Sequence, residues 1–388
     1  VTRGPTPPDD RAPATAASAP EACAHGGAFF EALGEEFDHL GRRGDIVNAD
    51  VLDAWFDPAP GVVEALRAHL PWLLRTSPPT RSEGLVRVIG RVRGVPPAQV
   101  LAAGGSSELI YLALPRWVAR GAKTLLLDPT YGEYAHLLAK VVGARVERFP
   151  LDRRDGYRPD AAALAAAVRA SRPDLLVIVN PNSPTGVHLP RAGLETVLGA
   201  LPTTSKAWID ETYVEYAGPG ASLEGFAAAS ANVVVAKSMS KVYGLSGVRA
   251  AYAVGPRALL DPLRAFVPPW AVGLLAQVAA VRALEDPAYY AGRWAETHAL
   301  RARLARDLRA LGLDVVDGRT NFVLAHLPAD GPTAAALVAR CVARGVYLRD
   351  CGDLGATMGD RAVRTAVKDA ATNARIVAAV AAALGDGP

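Results

Sequence analysis

The chain has 388 residues, 50% of them hydrophobic, and its 42 Lys and Arg nearly balance 39 Asp and Glu to leave a net charge of +3. That length and apolar share can bury a large core, expected as two coupled domains, while the balanced charge without a Lys/Arg run gives no support to nucleic-acid or membrane-surface binding. No apolar stretch is long and pure enough to span a membrane, and Cys23, Cys341 and Cys351 are spaced too widely for a metal site or a disulfide framework, as are the scattered histidines.

Taken in chain order, residues 1–24 are rich in Ala, Pro, Thr and Ser with acids among them. They read as a disordered tail and not as a signal peptide, because a basic start followed by an apolar block is missing. A cytoplasmic location is expected. Apolar runs at 124–127, 175–179, 207–209, 233–235 and 250–254 read as buried strands separated by helix-length segments. This alternation predicts an α/β domain with a mostly parallel sheet flanked by helices. After about Pro256 the texture changes to Ala-, Leu- and Arg-rich helical stretches such as 293–311, short strands at 322–327, 346–349 and 362–367, and a terminal helix over 373–384. A second, smaller α+β domain over 262–388 is expected there.

Polar clusters follow the strand runs, where open α/β sheets bind ligands. Lys241 lies in the hydroxyl-rich turn Ser238-Met239-Ser240-Lys241, with Arg249 eight residues on. Asp210 ends another run and Tyr213 follows it. Each piece alone is ordinary: a lysine after serines is commonly a solvated loop, and an acidic turn is commonly just a turn. Together they meet the needs of covalently held pyridoxal phosphate. Its aldehyde forms an imine with a lysine, here Lys241. A carboxylate facing the pyridine nitrogen keeps it protonated, and Asp210 is the candidate; Tyr213 can bond the ring oxygen. Ser238 and Arg249 can hold the phosphate, a guanidinium matching it bidentately. A further cradle is predicted at Gly104-Gly105-Ser106-Ser107, with Ser106 capping a helix through Leu109 and Leu112.

Longer motifs sharpen this reading: Asp-Pro-Thr-Tyr-Gly-Glu-Tyr (128–134), Asn-Pro-Asn-Ser-Pro-Thr-Gly (180–186), Asp-Glu-Thr-Tyr (210–213), Ser-Met-Ser-Lys-Val-Tyr-Gly-Leu-Ser-Gly-Val-Arg (238–249) and Val-Arg-Thr-Ala-Val-Lys-Asp (363–369). With them, from about residue 25 onward, the chain resembles the fold-type-I pyridoxal-phosphate enzymes of the aspartate-aminotransferase superfamily. Within that superfamily it resembles the branch of histidinol-phosphate aminotransferase and threonine-phosphate decarboxylase. The resemblance implies a large cofactor-binding domain over 76–261, with residues 25–75 completing the small domain. It makes Lys241 the Schiff-base lysine, Asp210 the partner of the pyridine nitrogen, Tyr213 the ring-oxygen contact and Tyr131 a ring stacked on the cofactor. Ser106, Ser107, Ser238, Ser240 and Arg249 would surround the phosphate. Arg364 would grip the substrate α-carboxylate, with Arg349 and Lys368 adding positive charge nearby. A homodimer is implied as well.

Three departures stand out. Ser183 replaces the Asn that the family carries before Pro-Thr-Gly, so either Ser183 or Asn182 is left to meet the ring oxygen. Where the family has Asn-Pro-x-Gly, this chain carries Asp50, Asp53, Trp55 and Phe56, and a carboxylate, Asp50 above all, is expected at the substrate rim. Ser77-Pro78-Pro79 occupies the region of the tyrosine that a partner subunit lends to the phosphate. The expected function is therefore an aminotransferase of a specialised biosynthetic pathway acting on a small-molecule substrate, an unusual or larger polar amino acid. Decarboxylation, β- or γ-elimination, replacement and cyclisation are the alternatives on the same scaffold. A ligand-sensing binding domain is the remote one; it would carry a basic helix-turn-helix at its N-terminal side, where residues 1–24 read as low-complexity.

Overall fold

Runs of Val, Leu and Ile too short for helices build the central sheet. The computed structural model describes residues 25–34 and 36–386, so the expectations for residues 1–24, Cys23 included, lie outside the described residues. Seven strands run in the spatial order Val100–Ala103, Ala251–Val254, Val233–Ser238, Lys206–Asp210, Leu175–Val179, Lys123–Asp128 and Arg145–Pro150. All pairings are parallel except the two made by Ala251–Val254.

The pleat explains the unbroken apolar runs. Leu176 and Ile178 enter one core cluster, while Leu175, Val177 and Val179 enter another on the opposite face. A strand buried on both faces needs apolar residues at every position. Two strands of this sheet were not anticipated. Val100–Ala103 is short and half alanine. Arg145–Pro150 lies at the sheet edge and exposes Arg145, Glu147 and Arg148 around half-buried Val146 and Phe149, a charged edge that discourages pairing with other chains.

Beyond this sheet, Val47–Asn48 pairs in parallel with Val346–Tyr347. A four-stranded antiparallel sheet holds Arg349–Asp350, Ala362–Ala366, Phe322–His326 and Asp314–Val315 in that order. The single strand expected over 346–349 is thus split, each half pairing with a different sheet around buried Leu348. The long helix begins earlier than expected, at Pro287, because Asp286 accepts from the Tyr289 amide and proline suits the first helical turn. The terminal helix is Ala370–Gly385, started by Asp369, which accepts from the amides of Ala371 and Thr372. Among the described residues no helix is long and apolar enough to cross a membrane, and no cluster of His, Cys, Asp and Glu could hold a metal ion.

Candidate active site

The ends of the parallel strands converge on a cavity of about 180 Å³. At one end Ser238 and Ser240 follow strand Val233–Ser238, and Ser106 and Ser107 open helix Ser106–Trp117. Ser106 does not cap that helix as expected: Gly105 holds the cap position and Ser106 is the first helical residue, with no side-chain capping bond. Arg249 closes this end, its Nη1 donating to the Ser246 carbonyl at 3.0 Å and lying 3.4 Å from Ser240 Oγ. Gly105 has φ +118, and a Cβ there would lie 2.5 Å from Arg249 Nη2. Glycine lets the guanidinium and the helix start share one small space, which suits a dianionic phosphate.

At the other end stands Asp210, at the end of strand Lys206–Asp210. Its Oδ1 accepts from the Thr212 amide at 2.9 Å and the Thr212 hydroxyl at 2.7 Å. Its Oδ2 accepts from the Tyr134 hydroxyl at 2.7 Å, and Tyr134 in turn accepts from Trp208 Nε1 at 2.8 Å. Burial, then the Asp210 carboxylate, push the Tyr134 phenol well above its usual range, so it stays a donor. This support from Tyr134 was not read in the sequence, although Tyr134 closes the 128–134 motif. Tyr131 and Tyr213 also line the cavity. Tyr213 packs edge-on against Phe322 at 5.3 Å between ring centres, and burial raises its phenol above the usual range.

Lys241 Nζ lies 3.0 Å from Asp53 Oδ1. Burial pulls the lysine's pKa down; Asp53 pushes it back up, and Arg249 and Arg364 add to the lowering. Burial alone would raise the Asp53 carboxyl, but Lys241, the Ser246 hydroxyl and Lys368 outweigh it and hold Asp53 below its usual range. Lys368 donates to the Asp53 carbonyl at 3.2 Å, and burial lowers its own pKa to about 8.

Arg364, opposite Leu324 in the four-stranded sheet, donates to Ser183 Oγ at 3.2 Å and to the Asp50 carbonyl at 3.3 Å. Its Nε is buried with no partner among the described residues. Ser183 lines the cavity beside it. Asn182 does not: its amide donates to the Pro129 carbonyl at 3.0 Å and to Thr185 Oγ1 at 3.2 Å, and its Oδ1 accepts from Thr130, so it braces the loop.

Two more expected contacts lie elsewhere. Asp50 turns its carboxylate toward the start of the described chain, accepting from the Gly27 amide at 3.1 Å. The carboxylate of this segment that meets Lys241 is that of Asp53, three residues on. No spacing rule could choose between them, because this segment has no regular period. Trp55 and Phe56 also leave the rim: Trp55 donates to Thr297 Oγ1 at 2.8 Å, and Phe56 is buried against Tyr290. Arg349 pairs with Asp353 at 3.0 Å and lies outside the cavity lining. Cys351, near Arg364, is fully buried, which pushes its thiol up to about 12 and makes it inert. His25 reaches Glu133 at 2.6 Å and sits beside Tyr131, the rings 6.3 Å apart.

A lysine, a braced carboxylate and an arginine–serine phosphate cradle at the strand ends are the donor set a pyridoxal-phosphate enzyme requires, and the residues present fit that group. Residues 82–380 match the aminotransferase class I and II family, and the chain belongs to it. It is a pyridoxal-phosphate-dependent transferase. A histidinol-phosphate aminotransferase of Symbiobacterium thermophilum is 30% identical over 344 residues, 88% of this chain and 92% of that one. Histidinol-phosphate aminotransferase 2 of Ralstonia nicotianae is 34% identical over 267 residues, 68% and 69% of the two chains. In fold, the chain matches the crystal structure of histidinol-phosphate aminotransferase from Sinorhizobium meliloti in complex with pyridoxal-5'-phosphate. That match has a TM-score of 0.80 at 24% identity and covers 94% of this chain and 98% of that one.

Proposed function

We propose that the protein transaminates a polar amino acid of a specialised pathway, one whose side chain carries a cation or several hydrogen-bond donors. The observation that carries this reading is the Asp53 carboxylate, 3.0 Å from Nζ of Lys241, a residue that lines the cavity. Once the lysine amine is engaged, that carboxylate faces the place where a substrate side chain enters, and charge-assisted contacts are the strong ones.

When bound, the cofactor supplies an electron sink for the pair left at Cα as a bond there breaks. The chain does the rest. Arg249, Ser106, Ser107, Ser238 and Ser240 would hold the phosphate, and Tyr131 would pack on the ring. Asp210, braced by Tyr134 and Thr212, would keep the pyridine nitrogen protonated. Tyr213 and Ser183 would supply hydroxyls to the ring oxygen. Arg364, whose Nε is buried without a partner among the described residues, would bind the substrate carboxylate and so orient the substrate. Lys241, its pKa lowered by burial, takes the proton from Cα as a base and returns it as an acid.

The relatives' printed activity, transamination of histidinol phosphate, is the second reading, favoured by identities of 30–34%. The test is a panel of single amino acids mixed with cofactor-loaded protein, followed by absorbance. Conversion of the cofactor to its amine form by a cationic or multiply donating amino acid, with weak response to histidinol phosphate, is expected. Efficient turnover of histidinol phosphate with 2-oxoglutarate would overturn the substrate class. Release of carbon dioxide or ammonia without the amine form would overturn transamination itself.

A further inference from the structure

A second cleft, of about 820 Å³, opens between the loop that follows Ser183, the turn at Tyr216 and the long helix Pro287–Ala310. Its lining is strongly basic: Arg158, Arg301 and Arg319, with His188 and His298. The acid in that lining is Asp317, whose carboxylate is taken by Arg309 at 2.7 Å. Among the described residues, none of the three guanidiniums lies within ion-pair distance of a carboxylate.

Arg301 is held in place. Its Nη1 donates to His298 Nδ1 at 2.9 Å and to the Thr320 carbonyl at 3.1 Å, while the His298 ring packs edge-on to Tyr216. His188 Nε2 is buried with no partner among the described residues. Burial and the neighbouring Arg319 pull Arg301 down to about 10, and the same two causes lower His188. Asp317 offsets this lowering at Arg301 only in part, and an anion bound among the gathered like charges would stabilise them. Arg158 and Arg319 are exposed, whereas Arg301 is half-buried and fixed by these bonds.

We propose that this cleft binds a multiply charged oxyanion on a small body, of the phosphate or polycarboxylate class, apart from the transamination site. Guanidiniums match both chemistries bidentately, and the volume is that of a small-molecule site. The cleft is joined to the active site through backbone. The Arg319 amide donates to the Gly186 carbonyl at 2.8 Å, three residues from Ser183, and Tyr216 donates to the Lys241 carbonyl at 3.0 Å. The proposal does not depend on the substrate reading above.

The test is calorimetric titration of the cofactor-loaded enzyme, whose phosphate cradle is already filled, with pyrophosphate in one arm and citrate in the other. Saturable binding at one site per chain is expected, weakened about tenfold or more in Arg301→Gln and in Arg319→Gln. It should be retained in Arg364→Gln, which removes the anion grip of the active site. Arg319 is exposed and makes no side-chain bond among the described residues, so its variant should fold, with circular dichroism as the control. The tighter-binding probe names the anion class. No saturation by either probe below about 10 mM overturns the proposal, as does binding lost in Arg364→Gln but unchanged in the other two variants.

Discussion

Lys241 and Asp53 are 188 residues apart in the chain and meet at 3.0 Å between Nζ and Oδ1. The aspartate's charge opposes the burial and the two arginines that lower the lysine's pKa. Asp53 therefore sets the pH at which the amine becomes a free nucleophile. Replacing Asp53 by Asn should lower the Lys241 pKa further, making the neutral amine available at lower pH. The pH profile of cofactor attachment to apo-protein, followed by visible absorbance, should move acidic by about one unit. An unmoved or alkaline-shifted profile would remove Asp53 from this role.

Lys241→Ala should abolish both the visible absorbance of the loaded protein and its activity. Borohydride reduction followed by peptide mapping locates the attachment point directly. An adduct on another lysine, Lys368 included, would contradict the assignment.

Tyr134→Phe deletes one donor to Asp210 and leaves the buried Trp208 N–H without its acceptor. An unsatisfied buried donor costs about 1–3 kcal/mol. The urea midpoint should fall accordingly, and cofactor should dissociate faster because the carboxylate is less firmly held. A variant with unchanged midpoint and cofactor retention would show that the Trp208–Tyr134–Asp210 chain carries no weight.

Helix Pro60–Arg75 exposes Trp72 and Leu74, 50% and 67% accessible, and the loop after Arg264 exposes Phe266 and Trp270, 57% and 56% accessible. The Trp270 amide donates to the Thr80 carbonyl at 3.0 Å, which ties this loop to the segment after that helix. Large apolar groups at such exposure favour burial against another surface, and a homodimer is the expected outcome. Sedimentation should show a dimer at micromolar concentration, with Trp72→Glu or Leu74→Glu shifting it toward monomer. An active wild-type monomer would refute the expectation.

The sequence by itself determined the parts of this protein that depend on local pattern. Strands buried on both faces announce themselves as unbroken apolar runs. Lys241, Asp210, Tyr213, Ser238 and Arg249 follow such runs, so their convergence could be read from order alone, and the structure brings them into one cavity. Edge strand Arg145–Pro150 escaped because its charged, mostly exposed sequence has no apolar run, and Val100–Ala103 because alanines do not separate strand from helix. Tertiary structure alone decided which carboxylate of the 48–56 segment reaches Lys241. An irregular loop has no period to say which way a side chain points, so Asp50 turned to the Gly27 amide and Asp53 to the lysine only through packing. The same holds for Asn182, whose amide is used up bracing its own loop, and for Arg349, claimed by Asp353. It holds equally for the three arginines of the second cleft, whose separate segments share nothing in the sequence that foretells their meeting.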